Sequence, residues 1–343
     1  MKIIFIVPYY GNMPSYFKLF LQTCKNNSRY DWIFFSENNG KYDYPDNVRY
    51  VEMSWEKLRN LFQKKFEFPI SLDSPYKLCD FRPAYGYIFE EYIGKYDYWG
   101  HCDIDLLFGD LDAFLTDEKI REFDKVGHLG HMTLYKNDKV INKLFMSEIN
   151  GLFRYKEVFE SIHACVFDEW NRVSINHIFL EKKKKVWLFE EFLDIYPYDD
   201  NLKKVIRIIP TEKESYGKDI IEKQSSFVSL EEGKIYQWKF ERQIWKRKEV
   251  AYVHFQKRNM LMELNDLSGK ILCVPDKFVV FDGKDIPRQY IRKQKIHKFL
   301  NKKKYELKVR KMKYWLIEKS SPVRHALQKR RNFDVCFLWT WWK

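Results

Sequence analysis

The stretch Tyr96-Asp97-Tyr98-Trp99-Gly100-His101-Cys102-Asp103-Ile104-Asp105-Leu106-Leu107-Phe108-Gly109-Asp110 decides how this chain is read. An aromatic, apolar run stops at Asp-Ile-Asp, and a second apolar run follows at once. Charged carboxylates are costly to bury unless something positive meets them. At alternate positions of an extended segment, their side chains leave the same face. Asp103 and Asp105 are therefore candidate ligands for a hard divalent cation, Mn²⁺ or Mg²⁺, which keeps open positions for water and a diphosphate. Asp-x-Asp alone occurs by chance in many proteins, so the rest of the chain must decide whether this one is a site.

Upstream, residues 2–8 read as a fully buried strand that ends at Pro8, followed by the loop Tyr9-Tyr10-Gly11-Asn12 and an amphipathic helix over about 14–25. Residues 31–35 form a second expected strand, ending in the polar loop Ser36-Glu37-Asn38-Asn39-Gly40. A third strand covers 48–52, and Ser54 is placed to cap the next helix. Strands alternating with helices imply an α/β domain built on a parallel sheet. In such sheets ligands sit beyond the carboxyl ends of the strands. The Tyr9-Tyr10 loop, the Ser36–Asn38 loop and Asp-Ile-Asp all follow strands, so they converge on one edge. Lys77, Asp80 and Arg82 stand at the start of an expected helix reaching about residue 93. Free N–H groups there favour anions; the plainer alternative is a capped helix with solvated charges.

Downstream, residues 110–115 read as a short helix, 125–135 as one strand with alternating histidines, and 137–147 as a helix. Asp168 and Glu169 follow an apolar run and precede a helix over 176–181. Short strand-like pieces cover 205–209, 226–230 and 234–238. Residues 250–255 form a further expected strand that carries His254 near its exit and is followed by Gln256-Lys257-Arg258.

The 343 residues are 45% hydrophobic and 18% aromatic, enough for a sizeable core, and a mean hydropathy of −0.54 fits a soluble protein. No apolar run approaches the roughly 20 residues that span a bilayer, and the apolar start is too short for a signal peptide. The six cysteines are scattered without a Cys-x-x-Cys pair, so free thiols in a reducing cytoplasm are expected. The net charge of +13 is unevenly placed. Residues 288–343 hold 18 of the 61 Lys and Arg but only 3 of the 48 Asp and Glu, so the body before them is slightly acidic. This implies a domain over 1–285 and a basic, aromatic, helical tail over 286–343. Within the domain, a nucleotide-binding half covers about 1–135 and an acceptor half 136–285. Such a tail suits an anionic membrane surface. Packing onto the body is the alternative; nucleic acid is disfavoured because no recognised motif accompanies the charges.

The order of Pro8-Tyr9-Tyr10-Gly11, then Lys77…Asp80-x-Arg82-Pro83, then a hydrophobic strand into Asp103-x-Asp105, then His254-x-x-Lys257 resembles GT-A-fold, metal-dependent glycosyltransferases. More narrowly, it resembles the group found in bacterial capsule, O-antigen and related polysaccharide loci. The likeness covers about residues 1–260. It implies a GT-A-like, mostly parallel central sheet flanked by helices, with the basic extension outside it. It also implies that Asp105 ligates the metal directly, that Asp103 contacts ribose or a metal-bound water, that His254 is the third protein ligand and that Lys257 meets phosphate. Pro8, Tyr9, Tyr10, Ser36, Glu37 and Asn38 would hold the base and ribose, and Lys77, Asp80 and Arg82 the diphosphate or donor sugar. Better-known relatives carry a Gly and a Lys-Pro-Trp after the histidine, which are missing here.

The implied reaction is transfer of a sugar from a nucleotide sugar, a UDP-sugar in the first place, to a glycan acceptor, lipid-linked at the inner face of the cytoplasmic membrane. Negative charge builds on the leaving diphosphate, where a divalent ion and Lys257 stabilise it. Asp168 and Glu169 are the candidates for removing the acceptor proton, although helix N-terminal charges are the plainer reading. Two other readings compete. A metal-dependent phosphoesterase needs a fuller ligand cluster than the sequence displays. A noncatalytic glycan-binding or scaffold protein at the membrane would bind no nucleotide.

Overall fold

The computed structural model describes residues 1–300 except 39–41, 170–172, 197–200, 208–218, 223–224, 257 and 265. Lys257 and residues 301–343 of the basic tail thus lie outside the described residues.

Strand β1 (Ile3–Pro8) is central because its sequence is apolar at every position, which suits a strand covered on both faces. Ile3, Phe5 and Val7 point to one face, where they meet Tyr30, Trp32 and Phe34 of β2 (Tyr30–Ser36) and helix α1 (Phe17–Asn26). Ile4 and Ile6 point to the other face, with Ile33 and Phe35, helix α2 (Trp55–Gln63) and short helical turns between 75 and 93. Period two along the strands thus divides the core into two layers. Each large side chain so buried contributes about 1.5–3 kcal/mol. As expected, Ser54 caps α2 by accepting from the Lys57 N–H at 3.2 Å.

Among the described residues the main sheet has seven strands in the order β3-β2-β1-β4-β7-β6-β8, with β3 at Val48–Glu52, β4 at Tyr98–Cys102, β6 at Lys125–Leu129, β7 at Met132–Lys136 and β8 at Val186–Trp187. β1 pairs in parallel with both β2 and β4. The chain runs outward through β2 and β3 and then returns to the other side of β1 as β4. The strand order therefore reverses between β1 and β4, where such sheets open a crevice for ligands. The Tyr9 loop leaves the end of β1, and Asp-Ile-Asp leaves the end of β4.

After Asp105 the chain changes sheets. Strand β5 (Leu106–Phe108) pairs antiparallel with Tyr252–His254, which pairs in parallel with Phe192–Tyr196. A third sheet, of five strands among the described residues, includes Lys234–Glu241 and Ile244–Val250. The fold class is the α/β sheet flanked by helices that the alternation implied, parallel through β3, β2, β1 and β4 but antiparallel where β7 pairs with β4 and β6.

Several local expectations change. Residues 125–135 make a hairpin, β6 and β7, because Gly130 and His131 turn the chain between them. The segments 110–115 and 137–147 form 3₁₀ turns, Leu111–Ala113 and Ile141–Met146. The 250–255 strand is two pieces, divided at Ala251. Among the described residues, Cys24, Cys79, Cys102 and Cys273 are free, as expected. The basic segment begins within the body. Ile286 is buried in the third sheet's core, Tyr290 and Ile291 of the helix Arg288–Leu300 pack there, and Lys293 pairs with Asp276 at 2.6 Å. Among the described residues no helix is long and apolar enough to cross a membrane.

Candidate metal and nucleotide site

Asp103 and Asp105 occupy the short link between β4 and β5, held at both ends by the backbone. The Asp103 N–H donates to the His131 carbonyl and the Phe255 N–H donates to the Asp105 carbonyl, each at 2.9 Å. The second bond brings the exit of the Tyr252–His254 strand against the link. His254 Nε2 then lies 3.5 Å from Asp105 Oδ1 and 3.7 Å from Asp103 Oδ2. Ligand atoms of the three residues lie within 4.8 Å of one another. Two carboxylates and an imidazole form a donor set that fits Mn²⁺ or Mg²⁺. Without an ion, the His254 proton and Arg82 offset the carboxylate charge. Burial pushes the Asp103 carboxyl up, and Asp105 adds to the push against the pull of Arg82. Burial pulls the His254 imidazolium down, but the Asp105 and Asp194 carboxylates outweigh it and hold it well above its ordinary value. A cation placed among these groups would relieve the carboxylate repulsion.

The loops after β1 and β2 leave the same edge of the sheet. The Tyr9 N–H donates to the Phe35 carbonyl at 2.9 Å, which ties the β1 and β2 exits together. Burial, then Asp105 and Asp103, push the Tyr9 phenol up, so the half-buried ring lies within the field of the acidic pair. Tyr10 donates to the Met53 carbonyl at 2.9 Å and meets Trp55 edge-on at 5.0 Å. Ser36 is buried and its Oγ accepts from the Asn38 N–H at 3.1 Å; Glu37 accepts from the Trp55 N–H at 3.0 Å. Pro8 ends β1 at this edge. Half-buried aromatic rings on a loop held this firmly form a platform on which a flat base can stack.

Arg82 joins the acidic link to the candidate base. One guanidinium nitrogen bonds Asp103, and the other donates to Asp168 Oδ2 at 2.8 Å. Burial pushes the Asp168 carboxyl up to about 8 although Arg82 opposes it. Asp168 Oδ1 is buried with no hydrogen-bond partner among the described residues. Glu169 accepts from the Gly130 N–H at 2.8 Å. Gly130 is needed at that approach: a Cβ there would come within 2.6 Å of Arg82 Nη1 and 2.8 Å of Glu169 Oε1.

Lys77 and Asp80, expected at the diphosphate, are engaged elsewhere. Lys77 Nζ donates to Asp80 Oδ2 at 2.7 Å and to the Val158 and His163 carbonyls at 2.7 and 2.6 Å. Three donors are all an ammonium has. Asp80 accepts from the Cys165 and Phe167 N–H groups at 2.7 and 3.0 Å. The pair therefore holds the loop that carries Asp168, and Lys77 has no N–H left for a phosphate.

Two features escaped the sequence reading. Asp194 is 1% exposed and its Oδ1 lies 3.0 Å from His254 Nδ1. Its one signal in the sequence is an acid inside the apolar Phe-Leu-Asp-Ile-Tyr segment. Lys125 is fully buried, donates to the Gly127 carbonyl and Asn176 Oδ1 at 2.6 and 2.7 Å, and is brought by burial down to about 7. Nothing in its sequence neighbourhood separates it from a solvated lysine.

Comparison with solved structures finds the galactosyltransferase LgtC in complex with donor and acceptor sugar analogs, at 13% identity and a TM-score of 0.30 over 58% of this chain and 77% of that one. A structure of an active-site mutant of LgtC matches at 13% identity and a TM-score of 0.31, over 58% of this chain and 76% of that one. Similarity at this level is too distant to carry a functional assignment. No curated protein matches the sequence. The match that places the chain spans residues 5–282, and by it the protein belongs to a family of unknown function, DUF6625.

Proposed function

We propose that this protein is a metal-dependent glycosyltransferase that moves a sugar from a nucleotide sugar, a UDP-sugar in the first place, to a glycan acceptor. One observation carries the reading. His254, from a strand late in the chain, meets Asp103 and Asp105 at the reversal of strand order, beside the Tyr9 loop. The three residues would hold Mn²⁺ or Mg²⁺, which supplies positive charge to a leaving diphosphate. Tyr9, Tyr10 and the Ser36–Asn38 loop would hold the nucleoside. Lys257, three residues beyond His254 in the sequence, would add a second positive charge at the phosphates.

The acceptor hydroxyl must lose a proton as it attacks. Asp168 and Glu169 are the carboxylates next to the Arg82 bridge, and either would take that proton in its ionised form, which for Asp168 in the metal-free protein means above about pH 8. Arg82 would hold Asp103 and Asp168 at a fixed separation, with the donor sugar near its guanidinium. A base in that role implies inversion at the anomeric carbon. The acceptor would be lipid-linked, as in bacterial surface polysaccharide synthesis. The basic residues beyond 286 would keep the enzyme peripheral at the inner face of the cytoplasmic membrane, each cation near an anionic surface adding about 1 kcal/mol.

A thermal-shift panel of nucleotide sugars, with Mn²⁺ or with chelator, tests the donor claim. A ligand at 100 times its dissociation constant stabilises the folded state by about 2.7 kcal/mol. UDP-sugars are expected to raise the melting temperature only when metal is present. No shift with any nucleotide would favour a noncatalytic glycan-binding protein. For the tail, the full chain is expected to sediment with anionic liposomes, and charge reversal of Lys302, Lys303 and Lys304 to weaken this without touching nucleotide binding. Equal sedimentation of both proteins would contradict the membrane role.

A further inference from the structure

We propose that Asp194 is the positioning residue of the metal site: it holds the His254 ring so that Nδ1 faces Asp194 and Nε2 faces Asp103 and Asp105. The inference rests on the metal-site reading above and extends it to a residue outside the ligand set.

The placement begins in the backbone. Phe192–Tyr196 and Tyr252–His254 pair in parallel with Asp194 directly opposite His254. On neighbouring strands, opposed residues project to the same face. The two side chains therefore meet over a strand pair whose other members, Phe192, Leu193, Tyr252 and Val253, are buried. The result is the 3.0 Å contact between Asp194 Oδ1 and His254 Nδ1, with both residues buried.

Asp194 is itself fixed. Gln256 Nε2 donates to both of its carboxylate oxygens at 2.9 Å. Across the ring, His131 packs on His254 with centroids 4.7 Å apart and planes tilted by 32°, and His131 Nδ1 lies 3.2 Å from the Tyr252 hydroxyl. The His131 carbonyl also accepts the Asp103 N–H. The same residue thus packs on one ligand and ties down the backbone of another.

An imidazole can turn about its Cβ–Cγ bond, and either nitrogen can ligate. A carboxylate on Nδ1 removes that freedom. It keeps the proton on Nδ1, leaves the Nε2 lone pair for the ion and raises the ring's basicity as a ligand. Asp194, His131 and His254 also lie close enough to be read as a metal trio of their own. Asp194 already meets His254 through Nδ1 and is held by Gln256, so orientation of His254 accounts for the geometry with one ion instead of two.

The test is Mn²⁺ binding to the full chain without nucleotide, followed by the electron paramagnetic resonance of free Mn²⁺. It is run on wild type, Asp194→Asn, His254→Ala and the double variant, with a thermal melt of each metal-free protein. Asp194→Asn is expected to weaken Mn²⁺ binding about 10- to 100-fold, and to add nothing on the His254→Ala background, since Asp194 acts through that ring. If Asp194→Asn does not fold, Gln256→Leu, which frees Asp194 to turn, is expected to weaken binding in the same direction with the same dependence on His254. Wild-type binding that neither substitution changes would overturn this inference alone. An equal further loss on the His254→Ala background would also overturn it, by showing an effect independent of His254. A wild-type protein that binds no Mn²⁺ would remove the metal-site reading and this inference with it.

Discussion

Two charged clusters grow from one short segment, and they serve opposite ends. Lys77 and Asp80 are buried, and their donors and acceptors go to each other and to the backbone at Val158, His163, Cys165 and Phe167. Arg82, one half-turn further on, joins Asp103 to Asp168 at the crevice. The residue types are alike; what differs is the company. Where backbone groups of a returning loop need partners, charges become structure. Where two carboxylates from different loops face each other, a cation between them becomes part of a site. Packing makes the division, and the spacing of 77, 80 and 82 gives no hint of it.

The comparison breaks most easily at Lys77. Removing one partner of a buried pair leaves the other unpaired, which costs about 3–5 kcal/mol. Lys77→Met is expected to lose that much stability in urea unfolding, while the protein that remains folded keeps its affinity for UDP. Reduced affinity with little loss of stability would return Lys77 to the phosphates. Arg82→Lys is the converse. A single ammonium cannot replace the forked guanidinium between two carboxylates. Turnover is expected to fall about 10- to 100-fold, with a stability loss of roughly 1–3 kcal/mol. Full activity in the lysine variant would show that the bridge is only structural.

A third outcome follows from Asp168. Its folded value of about 8 lies above the 3.8 of the free carboxyl. The folded state therefore holds a proton that the unfolded state releases, and this group's contribution to stability declines as pH rises from about 4 to about 8. Asp168→Asn is expected to flatten that decline in urea unfolding of the metal-free protein. An unchanged slope would mean that Arg82 keeps the carboxylate ionised throughout. The smallest effect belongs to the frame. Ser54→Ala removes the α2 cap at a cost of about 1 kcal/mol and is expected to leave nucleotide affinity alone. A change in affinity would show that the Glu37 loop depends on the start of that helix.

The frame of the site was legible in the sequence. Continuous apolar runs at 2–8 and 31–35 announce strands covered on both faces, and the loops after them must then share an edge. Asp103 and Asp105 were found because two acids interrupt an apolar run at alternate positions. Other features depend on contacts between distant segments. The 125–135 stretch has the apolar content of one strand, and only the turn at Gly130 and His131 makes it two. Asp194 is one acid in a strand, and its role exists only because the parallel register sets it opposite His254. Lys257 and residues 301–343 keep the sequence reading alone.

The central claim is that Asp103, Asp105 and His254 bind a divalent ion that in turn holds a nucleoside diphosphate. Calorimetric titration of UDP into the full chain, with Mn²⁺ and with chelator, on wild type and Asp105→Ala, tests it most directly. The account predicts binding that appears with Mn²⁺, disappears with chelator and is lost in Asp105→Ala. UDP binding that is independent of metal and unchanged by the substitution would contradict it.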